Sequence, residues 1–375
     1  MRRKPELLLS SEHRRIIWHL RAKGATSRTR LADHLGIHNG AMTRLTRELI
    51  TLGLIKEQQQ PQDGTRGRPI LPLIVSSRGG YTAGATVHPG WLELVLVDFT
   101  GEVIARDREA FSSEDPRDFI RVIEEKLRRL IAERNLITSR FLGLGIGVAG
   151  PTMMGSAKWQ TVEWLRGWRE VDLPDYFEDY LDLPVWVENN ATLAGLAEYY
   201  DCGLIHSRHS ALIFFIGHGV GGGLIYGGEF LRGEHGNAGD VGRLYPLGTP
   251  RPSGLDLLAT LNAAEADIQS LLDIERCLES HAAQIAEWVE RAAAQLDPVA
   301  HAGVAWLDPG AVILSGALPL PVLRALGDRL AQTDWVAGKD WLARPGFHTT
   351  RLGSWAVSIG AALLPVHRLL SDNAE

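Results

Sequence analysis

The chain has 375 residues, 45% hydrophobic and 22% charged, with a net charge of −6. That length exceeds one ordinary core, so two or three domains are expected. The composition is that of a globular protein, and no apolar run approaches the roughly 18 residues a membrane span requires. Two cysteines, Cys202 and Cys277, offer neither a disulfide framework nor a metal cluster, and each reads as a packed thiol. The opening MRRKPELLLSSEHRR has too short an apolar stretch for a signal peptide, so a cytoplasmic location is expected.

The charge is unevenly spread. Residues 1–80 carry 15 Lys/Arg against 6 Asp/Glu, a net of +9, whereas the remainder carries a net of −15. A basic head on an acidic body suits a nucleic-acid-binding module joined to a separately functioning unit.

Within the head, Ile16, Ile17 and Leu20 have helical spacing from Ser11 to Ala22. Thr26-Ser27 is set to cap a second helix, and Asn39 to Leu52 reads as a third, with Met42, Leu45 and Leu49 inward and Gly53 as its stop. Helices joined by a short Gly-containing turn form a helix-turn-helix, whose later helix enters the major groove. Its outward positions are Asn39, Gly40, Thr43, Arg44 and Arg47. Arginine pairs bidentately with guanine and asparagine with adenine, so these types suit base reading, and Gly40 leaves room at the DNA backbone. Leu54 to Gln58 and Ile70 to Val75 read as strands flanking QQPQDGTRGRP, a wing that carries Arg66 and Arg68 toward phosphates or the minor groove. A helical bundle used only for oligomerisation is the competing reading.

From Tyr81 onward, strands and helices alternate. Expected strands are two or three within 81–107, then Phe141 to Val148, Leu183 to Val187, Ala211 to Ile216 and Ala311 to Leu314. Helices are expected over Asp118 to Arg134, Ala191 to Tyr200, much of Leu255 to Leu296, and Ala356 to Leu370. Residues 217–242, GHGVGGGLIYGGEFLRGEHGNAGDVG, hold eleven glycines. A hairpin with a ligand at its tip and a bare Gly-rich hairpin both fit this stretch, and it lacks the dinucleotide fingerprint. Strand ends marked by Gly or Asn that converge on one cleft are where α/β folds bind ligands.

GIGVAGP at 145–151, LPVWVENNATLAGLAEY at 183–199, the Gly-rich hairpin, VILSGALP at 312–319 and the winged head ending in GRP at 67–69 carry a resemblance. In order and spacing they resemble the ROK family (repressors, open reading frames and sugar kinases), in its xylose-repressor-like branch. The resemblance runs from about residue 11 to the C-terminus. It implies an α/β architecture: a winged helix-turn-helix over 1–78, then a two-lobed actin/hexokinase-like (ribonuclease H-like) body. Lobe 1 is expected over 79–190 with helix 356–375 packing back on it, and lobe 2 over 191–355 with effector binding and dimerisation.

The departures from the family's pattern separate enzyme from regulator. Where its kinases have a D-x-G-G-T turn for ATP phosphates, this chain has Thr86-Val87-His88-Pro89-Gly90, and proline donates no amide. Where they have E-N-D with a proton-accepting aspartate, it has Glu188-Asn189-Asn190, and an amide is no general base. His218 replaces a glycine-loop threonine, and the loop YPLGTPRPSGLD lacks the cysteines of the family's structural zinc site. The resemblance therefore implies no catalysis, no cofactor and no metal. It assigns sugar-hydroxyl contacts to Asn189, Asn190, Asp240 and Asp256, and places the segment Trp159 to Trp168 beside the sugar, with one of Trp159, Trp164 and Trp168 expected on the ligand. Arg243 reads either as a reader of effector carboxylate or phosphate or as a plain salt bridge to Asp240.

The expected protein is a regulator of carbohydrate metabolism, a repressor by resemblance, that forms a homodimer or higher homo-oligomer, binds a double-stranded DNA operator and senses a sugar or sugar derivative. A sugar kinase with an attached DNA-binding head, and a DNA-binding protein whose body only dimerises, are the alternatives.

Overall fold

The computed structural model describes residues 7–58, 71–153, 158–169, 171–207, 210–246, 248–336, 338 and 341–371. Arg66 and Arg68 lie outside the described residues.

The head begins with α1 (Ser11–Lys23), whose N-cap Ser10 and His13 form a reciprocal capping box. Next, α2 (Arg28–Leu35) starts on Ser27 and stops on Gly36 in the left-handed region. The third helix, α3 (Asn39–Thr51), is capped by His38, whose Nδ1 accepts the Gly40 N–H at 3.2 Å. Strands β1 (Ile55–Glu57) and β2 (Leu73–Val75) pair antiparallel, and a bridge from Thr26 to Leu73 adds the backbone before α2. Ile16, Ile17, Leu31, Met42, Leu45 and Leu49 are buried together in this layer. The same cluster takes in Phe99, Val366 and Leu370, so the head shares its core with the body.

The body holds two sheets of one topology. In the first, β3 (Tyr81–His88), β4 (Gly90–Asp98) and β5 (Val103–Phe111) form an antiparallel meander. After α4 (Pro116–Glu133), β6 (Phe141–Val148) runs parallel to β3; after α5 (Leu173–Leu181), β7 (Val185–Asn189) runs parallel to β6. The strand order is β5-β4-β3-β6-β7. Helix α6 (Asn190–Asp201) leads into the second sheet, where β8 (Ser210–Ile216), β9 (Val220–Tyr226) and β10 (Glu229–Phe230) repeat the meander. Helices α7 (Gly254–Ala263) and α8 (Ala282–Leu307) precede β11 (Ala311–Gly316); α9 (Leu320–Leu330) precedes β12 (Gly346–Thr349); β8, β11 and β12 are parallel. The order β10-β9-β8-β11-β12 repeats the first sheet strand for strand. A meander followed by two helix-connected parallel strands, made twice, gives the mixed α/β, ribonuclease H-like lobes of the actin type.

Strands β3, β8 and β11 are buried along almost their whole length because helices cover both faces of their sheets, and β8 and β11 accordingly read as apolar runs. The amphipathic α4 lays Phe119, Ile120, Ile123 and Leu127 on the outer face of the first sheet. The inner faces meet α6 and the final helix, α10 (Ala356–Leu370), which pack on each other. That packing is backbone against backbone: a Cβ on Gly360 would sit 1.8 Å from the Leu193 carbonyl, and one on Gly145 1.9 Å from that of Ala361. Elements α5, α9 and β12 carry no expectation in the sequence because each is short, although α5 and α9 do keep their apolar residues on one face.

Candidate functional sites: a nucleic-acid face and an interlobe cleft

On the head, Asn39, Gly40, Thr43, Arg44 and Arg47 are all exposed on one side of α3, while Met42, Leu45, Thr46 and Leu49 are buried on the other. A Cβ on Gly40 would meet only the His38 ring, at 3.5 Å, so the helix start is sterically open. Arg44 donates to Glu48 at 2.8 Å, which holds its guanidinium along the helix. Glu48 also meets His13 at 3.0 Å. Arg47 has no carboxylate partner among the described residues. The exposed row is one stripe of polar side chains on a basic head, the arrangement a duplex groove accepts.

In the body, β6, β7 and the start of α6 face the β9 strand and the loop after β10. Asn189 caps α6: its Oδ1 accepts the Ala191 N–H at 2.8 Å, and its Nδ2 donates to the Gly150 carbonyl at 3.0 Å. Asn237 crosses the cleft to Thr152, on the loop after β6. Glu188 is 4% exposed, accepts the Asn189 N–H at 2.9 Å and is ion-paired with Arg232 across the cleft. Between these groups lies a cavity of about 40 Å³ bordered by Pro151, Trp159, Asn189, Asn237 and Asp240. It has room for about one water and not for a sugar ring, so the lobes stand closed upon it.

The structure brings together only part of the expected ligand set. Asn189, Asp240 and Trp159 border the cavity. Asn190 is 8% exposed and turned toward the first sheet, with its Oδ1 3.5 Å from Thr86 Oγ1. Asp256 faces α8 instead: Trp288 Nε1 donates to its carboxylate at 2.9 Å, and Arg291 pairs with it. Arg243 is largely exposed and forms the salt bridge to Asp240, at 3.0 Å. Trp168 requires a correction. It is fully buried against Phe119 and Phe177, where its ring completes the core under α4, and it does not reach the cleft. Thr152, Arg232 and Asn237 are cleft residues that the sequence did not single out, their only hint being a place in Gly-flanked loops after strands, and Glu188 figures there only as part of the Glu188-Asn189-Asn190 motif, without a cleft role.

Rings from the two lobes also meet. His88, at the end of β3, stacks on Trp91 with centroids 4.6 Å apart and planes at 17°. His218, in the β8–β9 turn, lies 6.3 Å from His88 and 5.9 Å from Trp91, and Trp164 lies 6.3 Å from His218. Burial pushes His88 down to about 3, with the Arg108 charge adding to it. Burial likewise pushes His218 to about 3, with His88 contributing. Both imidazoles are therefore neutral at pH 7 and present no positive charge to a phosphate. Trp91 Nε1 donates to Glu93 at 3.2 Å, and this buried carboxylate pairs with Arg108 at 2.7 Å.

Packing accounts for two glycines of the Gly-rich hairpin, Gly222 and Gly223. A Cβ on Gly222 would sit 2.9 Å from the carbonyls of Gly239 and Ile213, and one on Gly223 3.2 Å from that of Ala191. At its tip, the Gly217 and His218 carbonyls accept the N–H groups of Gly254 and Leu255 at 2.7 and 3.1 Å. Those amides open α7 and would otherwise be free for an anion. Elsewhere, Glu198, Asp201 and Cys202 bring three potential metal-ligand atoms, two carboxylate oxygens and a thiol sulfur, within 4.8 Å of one another. Asp201 is held there by Arg351, and Glu198 by Ser315 and Thr350. No helix among the described residues is long and apolar enough to cross a membrane.

The ROK family profile matches residues 89–321, and a MarR family profile matches residues 9–64. The chain is 29% identical over 370 residues to the uncharacterized protein y4fQ of Sinorhizobium fredii, covering 99% of this chain and 94% of the relative. It is 29% identical over 223 residues to a putative xylose repressor of Caldicellulosiruptor, covering 58% of this chain and about half, 54%, of that protein. The crystal structure of a ROK family transcriptional regulator, a homolog of the E. coli MLC protein, superposes with a TM-score of 0.70 at 19% identity over 96% of each chain. With a profile match across the greater part of its length and the fold to go with it, this chain belongs to the ROK family.

Proposed function

We propose that the chain is a DNA-binding transcriptional regulator of carbohydrate metabolism, acting as a repressor. The observation that carries this reading is the exposed row Asn39, Thr43, Arg44 and Arg47 on the third helix of a head with net charge +9. Winged helix-turn-helix geometry with arginine and asparagine outward is what base reading needs. The putative xylose repressor's name supports both the repressor and the sugar parts of the reading. Arg66 and Arg68 serve the wing in this proposal, a homodimer presents two heads to successive major grooves, and the protein works in the cytoplasm.

The effector is a sugar or sugar derivative that enters between the lobes by parting them at the small cavity, where Asn189, Asp240 and one of Trp159 or Trp164 meet it. It shifts DNA occupancy only by its differential affinity for the open and closed arrangements. The body is not a kinase in this reading: Asn190 offers an amide at the base position, and neutral His88 and His218 occupy the space beside Pro89. Domain limits are placed at 78/79, 190/191 and 355/356.

Fluorescence anisotropy with duplexes selected by the full chain from a random library tests the proposal, followed by titration with neutral sugars, sugar acids and sugar phosphates. Salt-dependent duplex binding that one sugar class changes is the expected result. A chain that ignores duplex DNA at moderate salt overturns the DNA half, and sugar-dependent ATP turnover overturns the non-kinase half.

A further inference from the structure

A second, larger cavity, of about 490 Å³, lies where the head and both lobes meet. Its walls come from α1, the end of β2, the β4–β5 turn, the C-terminal end of α6 and α10. Cavities of this size at domain junctions are the usual seats of small ligands.

The charged groups in its wall are unusual. Arg21 is only 9% exposed, yet it has no carboxylate partner among the described residues. Its Nη1 donates to the Phe99 carbonyl at 2.5 Å, its guanidinium lies 5.1 Å from the Tyr200 ring centroid, and its Nε has no hydrogen-bond partner. A buried guanidinium without an acid is costly. Arg106, from β5, lines the same cavity; its guanidinium stands 5.6 Å over the Trp355 ring and likewise has no carboxylate partner among the described residues. Two acids share the wall. Asp201 is engaged by Arg351 at 3.1 Å, and Glu102 is exposed on the turn. His206 is tied to α1 through the Ala22 carbonyl, and its own carbonyl accepts from Lys23 at 2.9 Å. Arg21 is therefore a buried cation of this wall with no acid paired to it, and Arg106 is a second, exposed cation beside it.

We propose that this junction cavity is a ligand site for a small anion bearing a phosphate or a carboxylate group, held between Arg21 and Arg106. Both groups match the planar donor fork of arginine, and both are strongest where water is excluded. The site is separate from the interlobe cleft. Helix α6 starts at the cleft with Asn190 and ends at the junction with Asp201; its 12 residues set the two sites about 18 Å apart along one rigid element. A ligand there touches α1 and both lobes at once, so it bears directly on how the head is held.

Isothermal titration of the full chain with inorganic phosphate, glucose 6-phosphate, gluconate and neutral glucose tests this. Saturable binding of at least one anionic probe is expected, the phosphate and gluconate arms telling the two groups apart. Arg106→Gln changes an exposed residue and is expected to weaken that binding about tenfold, the loss of roughly one charge-assisted hydrogen bond. Arg21→Lys is expected to weaken it as well, whereas Asp240→Asn in the cleft and Arg47→Ala on α3 leave it unchanged. No anion binding, or anion binding that Asp240→Asn or Arg47→Ala abolishes while Arg106→Gln does not, overturns the proposal. Binding of neutral glucose reports on the cleft alone and bears only on the proposed sugar effector.

Discussion

Asn237 clasps Thr152 across the cleft as though it were a strand neighbour: its Oδ1 accepts the Thr152 N–H at 2.8 Å, and its Nδ2 donates to the Thr152 carbonyl at 3.0 Å. The clasp joins the loop after β6 in one lobe to the loop after β10 in the other. It closes the small cavity from the side and does so with a single side chain.

Asn237→Ala therefore frees the Thr152 amide and loosens the mouth of the cleft. Hydrogen–deuterium exchange at residues 151–153 should accelerate markedly, with a stability loss of about 1–2 kcal/mol for two part-buried hydrogen bonds. Unchanged exchange there would show that the lobes are held shut by other contacts, such as Glu188 with Arg232.

The two histidines where the lobes meet set an acid limit. Burial holds His88 near 3 against an ordinary 6.5, so the unfolded chain binds the proton more readily. Stability from this group is complete above pH 6.5 and is lost as pH falls toward 3; at pH 5 the loss is about 2 kcal/mol. His218 acts in the same direction. Urea unfolding at pH 5 and 7.5 should show the drop in the wild type and a smaller one in His218→Asn.

Glu198 works in the opposite sense. It is fully buried, its Oε2 lacks a partner, and burial raises it to about 7 from an ordinary 4.5. The folded state therefore holds this proton more tightly, and stability falls as pH rises from 4.5 through 7, by about 3 kcal/mol at most. Glu198→Gln should flatten that part of the pH–stability curve while keeping an acceptor for Ser315 and Thr350.

On α3, Arg47→Ala should weaken binding to the selected duplex and relax its preference over other sequences, with at most a small fall in the slope of log K against log salt. Glu48→Gln releases Arg44 from its 2.8 Å pair and should strengthen non-specific binding. Anisotropy titrations at several salt concentrations read both effects.

Glycines divide by what surrounds them. A Cβ on Gly145 would lie 1.9 Å from the Ala361 carbonyl, so Gly145→Ala should cost more than about 3 kcal/mol and lower the yield of folded protein. Gly219, within the Gly-rich hairpin, has nothing within 4 Å of such a Cβ, and Gly219→Ala should leave the urea midpoint close to wild type.

Much of this molecule is legible along the chain. Charge asymmetry and caps such as Ser27 and Gly36 locate the helices of the head, because N-caps and left-handed stops act within a few residues. Strand 141–148 and helix 356–370 match their expected limits, since an apolar run and a helical apolar period are local properties. The five outward residues of α3 follow from the same period and are exposed together.

The cleft was only partly legible, because its members come from segments far apart in sequence. Motif order alone assigned Asp256 and Trp168 to it, yet Asp256 meets Trp288 and Arg291 on α8, and Trp168 completes the core beneath α4. Which of two available partners a polar or aromatic side chain takes depends on the packing of whole helices, and no local pattern encodes that. The sequence by itself determined the basic head, the alternation of strands and helices in the body and the residue types at the strand ends. Only the tertiary structure decided that Gly222 and Gly223 serve close packing, that rings from separate segments meet between the lobes, and that Arg21 and Arg106 line one junction cavity without a carboxylate paired to either. Those outcomes rest on distances between chain segments far apart in sequence, set when the two sheets close on α6 and α10.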